Sequence, residues 1–588
     1  MVRDDPDETR KRVQTLAAHG VGLACANVAC IGNTCNAGGN DVDAMIRRMH
    51  TMPPVKHWLL FWETFLSRQH MRDYPFDILG RPVRELTPDE ESVFKNCWDT
   101  AIEYATRVRK EFPEAKLIFG NGHPNFIAAF LRRGFPKEYI DGFGLDFDMF
   151  VSSPELQPGP LHCPFSGLFF LKTLQDLYGY SEIPRYLTEA IYCSQSEGWL
   201  TERQQADHYV RSHLLGLASG VVLFGMTAEL NDPGSEYFYG SYGPVGFLRR
   251  APELNPRESF CAYATMTRML DRANFTEMVP MPSPGTYGLR FTKAEGSDIY
   301  AFWTTTGTRL LTFGAESGSV RTTDLFGNQT VIRNARGVFS LNVSPSPVYV
   351  EGEGIHGFVL GTPRHRPGPK TGEPIVRMSD LPSWRHEAED DTWMERLGRA
   401  GNWAITAPTI RGRFEFSLRK DRARGQVLRV SLSETPGAHP LHLRYAVLRF
   451  SRKVPVNGAF SALGLWIRGN SSSGRVLYEL EDADGIIWRS VYSDTYIDFD
   501  GWRYVQTPLP LPATEDGSRL QPCGLTPWAT ETEHRHPALP VRLTALIIES
   551  RTHVVRATSL DPVPDTTFDV SDVVVTKEMV DPEIRFRW

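Results

Sequence analysis

The sequence has no run of about 18 consecutive apolar residues, so no membrane-spanning helix is expected. It also lacks a basic block, and with a net charge of −6 and a pI near 6.3 it offers no electrostatic footprint for nucleic acid. The eight cysteines lack the spacing of a metal finger. Cys25, Cys30 and Cys35 stand at even intervals without a nearby ligand histidine, which leaves a disulfide among them open, and the others read as small buried hydrophobes. The opening MVRDDPDETRKR is too charged for a signal peptide. Taken as complete, the chain is expected in the cytoplasm. Taken as missing an amino-terminal segment with a signal peptide, it is expected outside the cell or in the periplasm.

What is present is an ordinary globular composition, 41% hydrophobic and 23% charged over 588 residues, enough for several domains at about 150 residues each. Aromatic residues are plentiful: 13 Trp, 20 Tyr and 33 Phe can fill cores and also offer flat faces to sugars.

Two stretches carry the chemistry. Ile183–Ala190, IPRYLTEA, reads as a short buried strand ending in a carboxylate, Glu189, with helical segments on either side. Val55–Glu63, VKHWLLFWE, is a second apolar run ending in a carboxylate. Alternating helices and strands predict a parallel sheet, and in barrels of this kind the carboxyl ends of the strands build the site. Two strand-end glutamates would meet the needs of glycoside hydrolysis, one neutral to protonate the leaving oxygen and one ionised to attack, about 5 Å apart in a retaining enzyme. For either glutamate alone, a salt bridge to a neighbouring arginine is the plainer alternative.

Strands are expected near residues 23, 59, 118, 143, 187 and 223, and Thr87–Glu90 forms a capping box ahead of a 3.6-periodic helix. Six strands fall short of the eight of a closed (β/α)8 barrel. The expectation is therefore a barrel lacking its first two strand and helix units over residues 1–280. An all-β texture follows as a small sandwich over 281–362, then a Pro- and Gly-rich linker over 363–383, then a jelly-roll-like sandwich over 384–588.

Residues 20–360 resemble the retaining glycoside hydrolases of clan A, the family-39-like and family-5-like enzymes, through HWLLFWE and RYLTEA. The resemblance implies Glu63 as acid/base and Glu189 as nucleophile in double displacement on a poly- or oligosaccharide, with no required cofactor. Trp62 stands where the family has Asn, and Asp146 and Asp148 stand where it has His-x-Tyr. These departures motivate a second reading, a catalytically inactive carbohydrate-binding protein on the same scaffold. Trp62, Asp146 and Asp148, with His57, Asn27, Asn121, His123, Tyr192 and Glu229 near strand ends or their loops, are the candidate substrate-binding residues. The carboxyl-terminal part resembles a galactose-binding-like carbohydrate module through SALGLWIRG, EDADG and Gly501-Trp502. Its alternative is a scaffold that binds nothing. Asp482 and Asp484 offer hard oxygen ligands to a structural Ca²⁺, against the alternative of a solvated turn. Neither nucleic acid nor membrane is expected as a partner, and the oligomeric state is not legible.

Overall fold

The computed structural model describes residues 6–19, 25–26, 31, 41–52, 55–61, 76, 79–82, 85–120, 124–150, 153–155, 168–192, 194, 200–225, 246–249, 255–283, 285–387, 409–411, 413–433, 443–458, 460–472, 474–490, 497–509, 525–527, 537–550, 567–578 and 580. Its first half alternates helix and strand: α1 Pro6–Ala18, β1 Cys25–Ala26, α2 Val42–Thr51, β2 His57–Leu59, α3 Pro88–Glu111, β3 Lys116–Gly120, α4 Pro124–Arg132, β4 Gly142–Phe150, α5 Leu168–Tyr178, β5 Arg185–Tyr192, α6 Glu202–Ala218, β6 Val221–Phe224 and α7 Glu258–Met269. The six strands form one sheet in sequential order, and every pairing in it is parallel. Each parallel neighbour requires a crossover, which the helices supply. Among the described residues β1 does not pair with β6, so the sheet stays open between them.

Local signals start the helices where expected. Thr87 Oγ1 accepts from the Glu90 N–H while the Glu90 carboxylate accepts from the Thr87 N–H at 2.8 Å, so two orphan donors of α3 are satisfied reciprocally. The buried face of α3 then carries Val93, Phe94, Cys97, Ala101, Tyr104, Ala105 and Val108. Each large apolar side chain removed from water contributes about 1.5–3 kcal/mol. Cys97 is disulfide-bonded, which corrects its reading as a small hydrophobe. Cys261 is free and exposed, not buried.

On the other face of the sheet, Leu59, Ile118 and Tyr186 form a separate buried cluster with Leu223 packed against it. A side chain on Gly142 would place its Cβ 2.2 Å from the Tyr186 ring, so this inner layer requires glycine there.

Strand Asn274–Met278 opens the antiparallel region, where a six-stranded sheet and a three-stranded sheet follow. Tyr287, Phe291 and Trp303 from the larger sheet share one core with the helices of the α/β half, and this explains why α6 is buried from Gln205 to Gly216. The opposite face of that sheet packs Phe302 against Phe313 and Phe339 of the smaller one. Further on, two seven-stranded sheets enclose a core including Leu428, Ile467, Tyr478 and Ile548. Their pairings are antiparallel except that Thr409–Arg411 lies parallel to Leu443–Val456. Part of the expected linker is structure: Glu373–Val376 pairs with Val573–Thr576, and Met378–Ser383 is a 3-10 helix. A parallel sheet with its helices, followed by several antiparallel sheets, is the layout of a barrel-type half joined to β domains. Among the described residues no helix is long and apolar enough to cross a membrane.

Candidate active site

The site is organised by the pairing of β4 with β5. Leu145 lies opposite Leu187, but the next pair is Asp146 with Glu189, followed by Phe147 with Ala190 and Asp148 with Ile191. Thr188 is therefore an extra residue on β5, a β-bulge. The slip has a visible effect on packing. Leu187, Ala190 and Tyr192 all bury in the core shared with the helices, although 187 and 190 are an odd three positions apart, which regular alternation would send to opposite faces. The close of β6 is tight against the bulge, since a Cβ on Gly225 would sit 2.3 Å from the Thr188 carbonyl oxygen. Two acidic positions, Asp146 and Glu189, thus become cross-strand neighbours.

The other expected residues are distributed differently. His57 starts β2, opposite Cys25 and Lys116, with its ring 5.3 Å from that of Tyr186. That is the amino end of the strand, away from the end toward which Glu63 follows. Trp58 is 3% exposed and donates from Nε1 to the Val55 carbonyl at 3.0 Å, so it is a core residue. Tyr192 is fully buried between β5 and α6, edge-on to His208 at 5.3 Å and to Tyr209 at 5.1 Å, rather than on an open surface. Asn27, Trp62, Glu63, Asn121, His123 and Glu229 lie outside the described residues. Ahead of Asn121, Gly120 adopts φ +125°, and a Cβ there would meet the Gly144 carbonyl oxygen at 2.4 Å, so the carboxyl end of β3 lies against the first half of β4 through glycine backbone.

Behind β5 is a polar core that patterning did not single out. Gln205 Nε2 donates to the Tyr192 carbonyl at 2.8 Å, anchoring the end of the strand to α6. Arg211 donates from Nε to Glu155 Oε1 at 2.7 Å and from Nη2 to Ser153 Oγ at 2.6 Å, and Trp303 Nε1 donates to the same Glu155 oxygen at 2.7 Å. The Arg211 and Glu155 side chains are 1% and 0% exposed. Burial alone would raise the Glu155 carboxyl, but the adjoining guanidinium and its hydrogen bonds outweigh it and hold the group below its ordinary range. In neighbouring groups burial outweighs the partners they have, Ser346 for Asp207 and the Tyr209 carbonyl for His213. Burial pushes Asp207 up to about 6, and it pushes His208 down to about 3 and His213 down to about 4. This network ties the loop after β4, α6 and the antiparallel sheet together; sealed from solvent, it positions the site and does not react. Neither residue carries a local signal of this pairing: Arg211 lies within a helix, and Glu155 lies in a Ser- and Pro-containing stretch as an acidic residue beside apolar ones.

The turn at Asp482 does not fit a calcium site. Its carboxylate accepts from the N–H groups of Asp484, Ile486 and Ala538 and from Trp488 Nε1, so both oxygens are occupied by donors. Among the described residues no cluster of three or more His, Cys, Asp or Glu is placed to hold a metal.

No protein-family profile matches the sequence, and no curated protein matches it. Among solved structures the chain is similar to a family 39 glycoside hydrolase from the gut symbiont Bacteroides cellulosilyticus WH2, at 16% identity over 60% of this chain and 80% of that chain with a TM-score of 0.38. It is also similar to a glucosidase from Croceicoccus marinus, at 11% identity over 60% and 83% of the two chains with a TM-score of 0.37. A GH51 arabinofuranosidase from Xanthomonas axonopodis pv. citri is 8% identical over 59% and 78%, with a TM-score of 0.36. At these identities the role of each residue has to rest on this chain's own geometry.

Proposed function

We propose that the protein is a retaining glycoside hydrolase acting on a poly- or oligosaccharide. Glu189 attacks the anomeric carbon and forms a glycosyl-enzyme, while Glu63 protonates the departing oxygen; Glu63 then takes a proton from water as that water displaces Glu189. The observation that carries the reading is the bulge at Thr188, which brings position 189, just past the middle of β5, into register with Asp146 on the parallel neighbour β4. Strand parity supports it too, because Ala190 and Tyr192 belong to the helix-facing core and position 189 alternates with them. The disulfide at Cys97 supports residence in an oxidising compartment, outside the cell or in the periplasm.

The test is a screen of the intact protein against a glycan panel, with hydrolysis followed by reducing-end release and the anomer of the product read by NMR. Hydrolysis with retention, abolished in Glu189→Gln, is the expected outcome. Binding without hydrolysis would instead favour an inactive carbohydrate-binding protein, the reading that Trp62, Asp146 and Asp148 motivate.

A further inference from the structure

A second cleft, about 590 Å³ in volume, lies between the segment Thr362–Pro367 and the carboxyl-terminal sandwich, far in sequence from the strand-end carboxylates. Its walls include Trp466, Trp502, Asp421 and Arg468. The two tryptophans stand on paired strands, Ala462–Asn470 and Asp500–Pro508, where Trp502 is opposite Arg468. Both indoles are half-buried, which leaves part of each open to the cleft.

Against Trp466, though not itself among the residues that line the cleft, stands the cation Arg424. The Arg424 guanidinium lies 3.5 Å from the centre of the Trp466 ring and 6.0 Å from that of Trp502. Its Nε is buried without a hydrogen-bond partner, and among the described residues no carboxylate pairs with the group. The nearest candidate, Asp421, is engaged elsewhere: its Oδ1 accepts from the N–H groups of Ala423 and Arg424 at 2.8 and 2.9 Å, closing the turn that Gly425 completes at φ +73°. Burial lowers the Arg424 pKa from its usual value, and the Asp421 charge offsets this only in part. Arg468, exposed in the wall, adds positive charge to the lining.

The cleft is also held in shape. The Asp500 carboxylate accepts from Ser283 Oγ, from Arg309 Nη1 at 2.7 Å and from Ser471 Oγ at 2.9 Å, while its carbonyl accepts from His365 Nε2 at 2.6 Å. The small sandwich, the connecting segment and the carboxyl-terminal sandwich therefore meet at the residue two before Trp502. Gly368 lets the connecting chain lie against Trp466, since a Cβ there would be 2.0 Å from the ring. A site with its walls already fixed loses little entropy on binding.

We propose that this cleft binds an acidic saccharide, with a pyranose face against Trp502 and the sugar carboxylate on Arg424 and Arg468. A planar guanidinium matches a carboxylate with two parallel donors, and an indole offers an apolar face to the C–H side of a sugar ring. The choice of a sugar rests on the glycoside hydrolase reading; the choice of an anion rests on Arg468 in the cleft wall and Arg424 beside it.

The experiment is isothermal titration of the full chain carrying Glu189→Gln, using α-1,4-linked trigalacturonate and its uncharged counterpart, α-1,4-linked trigalactose. Trigalacturonate is expected to bind at least tenfold tighter than trigalactose, with at least a tenfold loss in Arg424→Gln and in Trp502→Ala. Arg468 is exposed, so Arg468→Glu keeps the fold and gives the same loss even if the other variants unfold. Equal binding of the two sugars, no binding of trigalacturonate, or an unchanged affinity in Arg468→Glu would each overturn the proposal. If AMP binds in place of the sugar with the same sensitivity to the variants, the cleft is a nucleotide site and the saccharide assignment fails. Failure of the hydrolase reading looks different, because it appears as no glycan hydrolysis by the intact protein, or as undiminished hydrolysis in Glu189→Gln, and leaves these affinities unchanged.

Discussion

In the α/β half, a carboxylate buried behind β5 meets one arginine: Glu155 and Arg211 face each other, with Ser153 and Trp303 completing the hydrogen bonds. In the carboxyl-terminal sandwich, Glu479 meets two, accepting from Arg449 Nη1 at 2.6 Å and Arg489 Nε at 2.9 Å, with Thr544 Oγ1 at 2.9 Å. Burial would raise the Glu479 carboxyl, but the two guanidinium groups outweigh it and hold it at about 2. The difference follows from the elements that carry the charges. Glu155 and Arg211 come from a loop and a helix packed between two sheets, whereas Glu479 and Arg489 face each other across paired strands. A sheet can repeat a charge partner on the next strand; a helix between two layers cannot. The α/β half therefore stakes its polar core on one pair and the sandwich shares its core among several.

The largest effect should fall on activity in the α/β half alone. Glu189→Ala is expected to lower kcat/KM by about 10⁴-fold or more, with azide restoring turnover to a product of the opposite anomeric configuration. Trigalacturonate binding in the distant cleft should stay as it was. Retained turnover, or rescue without inversion, removes Glu189 as nucleophile.

Glu63→Ala should cost about 10²–10⁴-fold on substrates with poor leaving groups, yet dinitrophenyl glycosides should still give a burst as the glycosyl-enzyme accumulates. An equal loss on good and poor leaving groups, with no burst, would leave Glu63 without acid/base duty.

Stability should separate the two charge centres. Arg211→Met strands Glu155 and is expected to cost about 3–5 kcal/mol in urea unfolding. Arg449→Met leaves Glu479 with Arg489 and should cost distinctly less, about 1–3 kcal/mol. Equal costs would show that sharing a buried carboxylate gives no protection.

The smallest effect is on pH dependence. His208 and His213, depressed to about 3 and about 4, contribute stability that is present above their ordinary pKa of about 6.5 and lost as pH falls toward the folded values. Asp207, raised to about 6, works the other way, stabilising below its ordinary 3.8 and losing that contribution as pH rises through about 6. Two histidines outweigh one carboxyl, so unfolding free energy should fall by about 2–3 kcal/mol between pH 7 and pH 5. His213→Phe, which keeps a ring against Phe224, should reduce that slope. Higher stability at pH 5 would show that Asp207 dominates.

Local information in the sequence determined a good deal. Thr87 and Glu90 announce α3 because a capping box needs only residues within one turn. Strands near 59, 118, 143, 187 and 223 are legible because a short apolar run bounded by turn residues needs no partner to be recognised. A matching box at Thr201 and Gln204 starts α6 by the same local rule. Only the tertiary structure decided that Thr188 is an extra residue opposite β4, that His57 and Tyr192 occupy the amino end of a strand and a sealed core, and that Arg424 lies over Trp466. Register, burial and stacking join residues tens to hundreds of positions apart. Such contacts arise when separate elements pack, so no window of neighbouring residues encodes them.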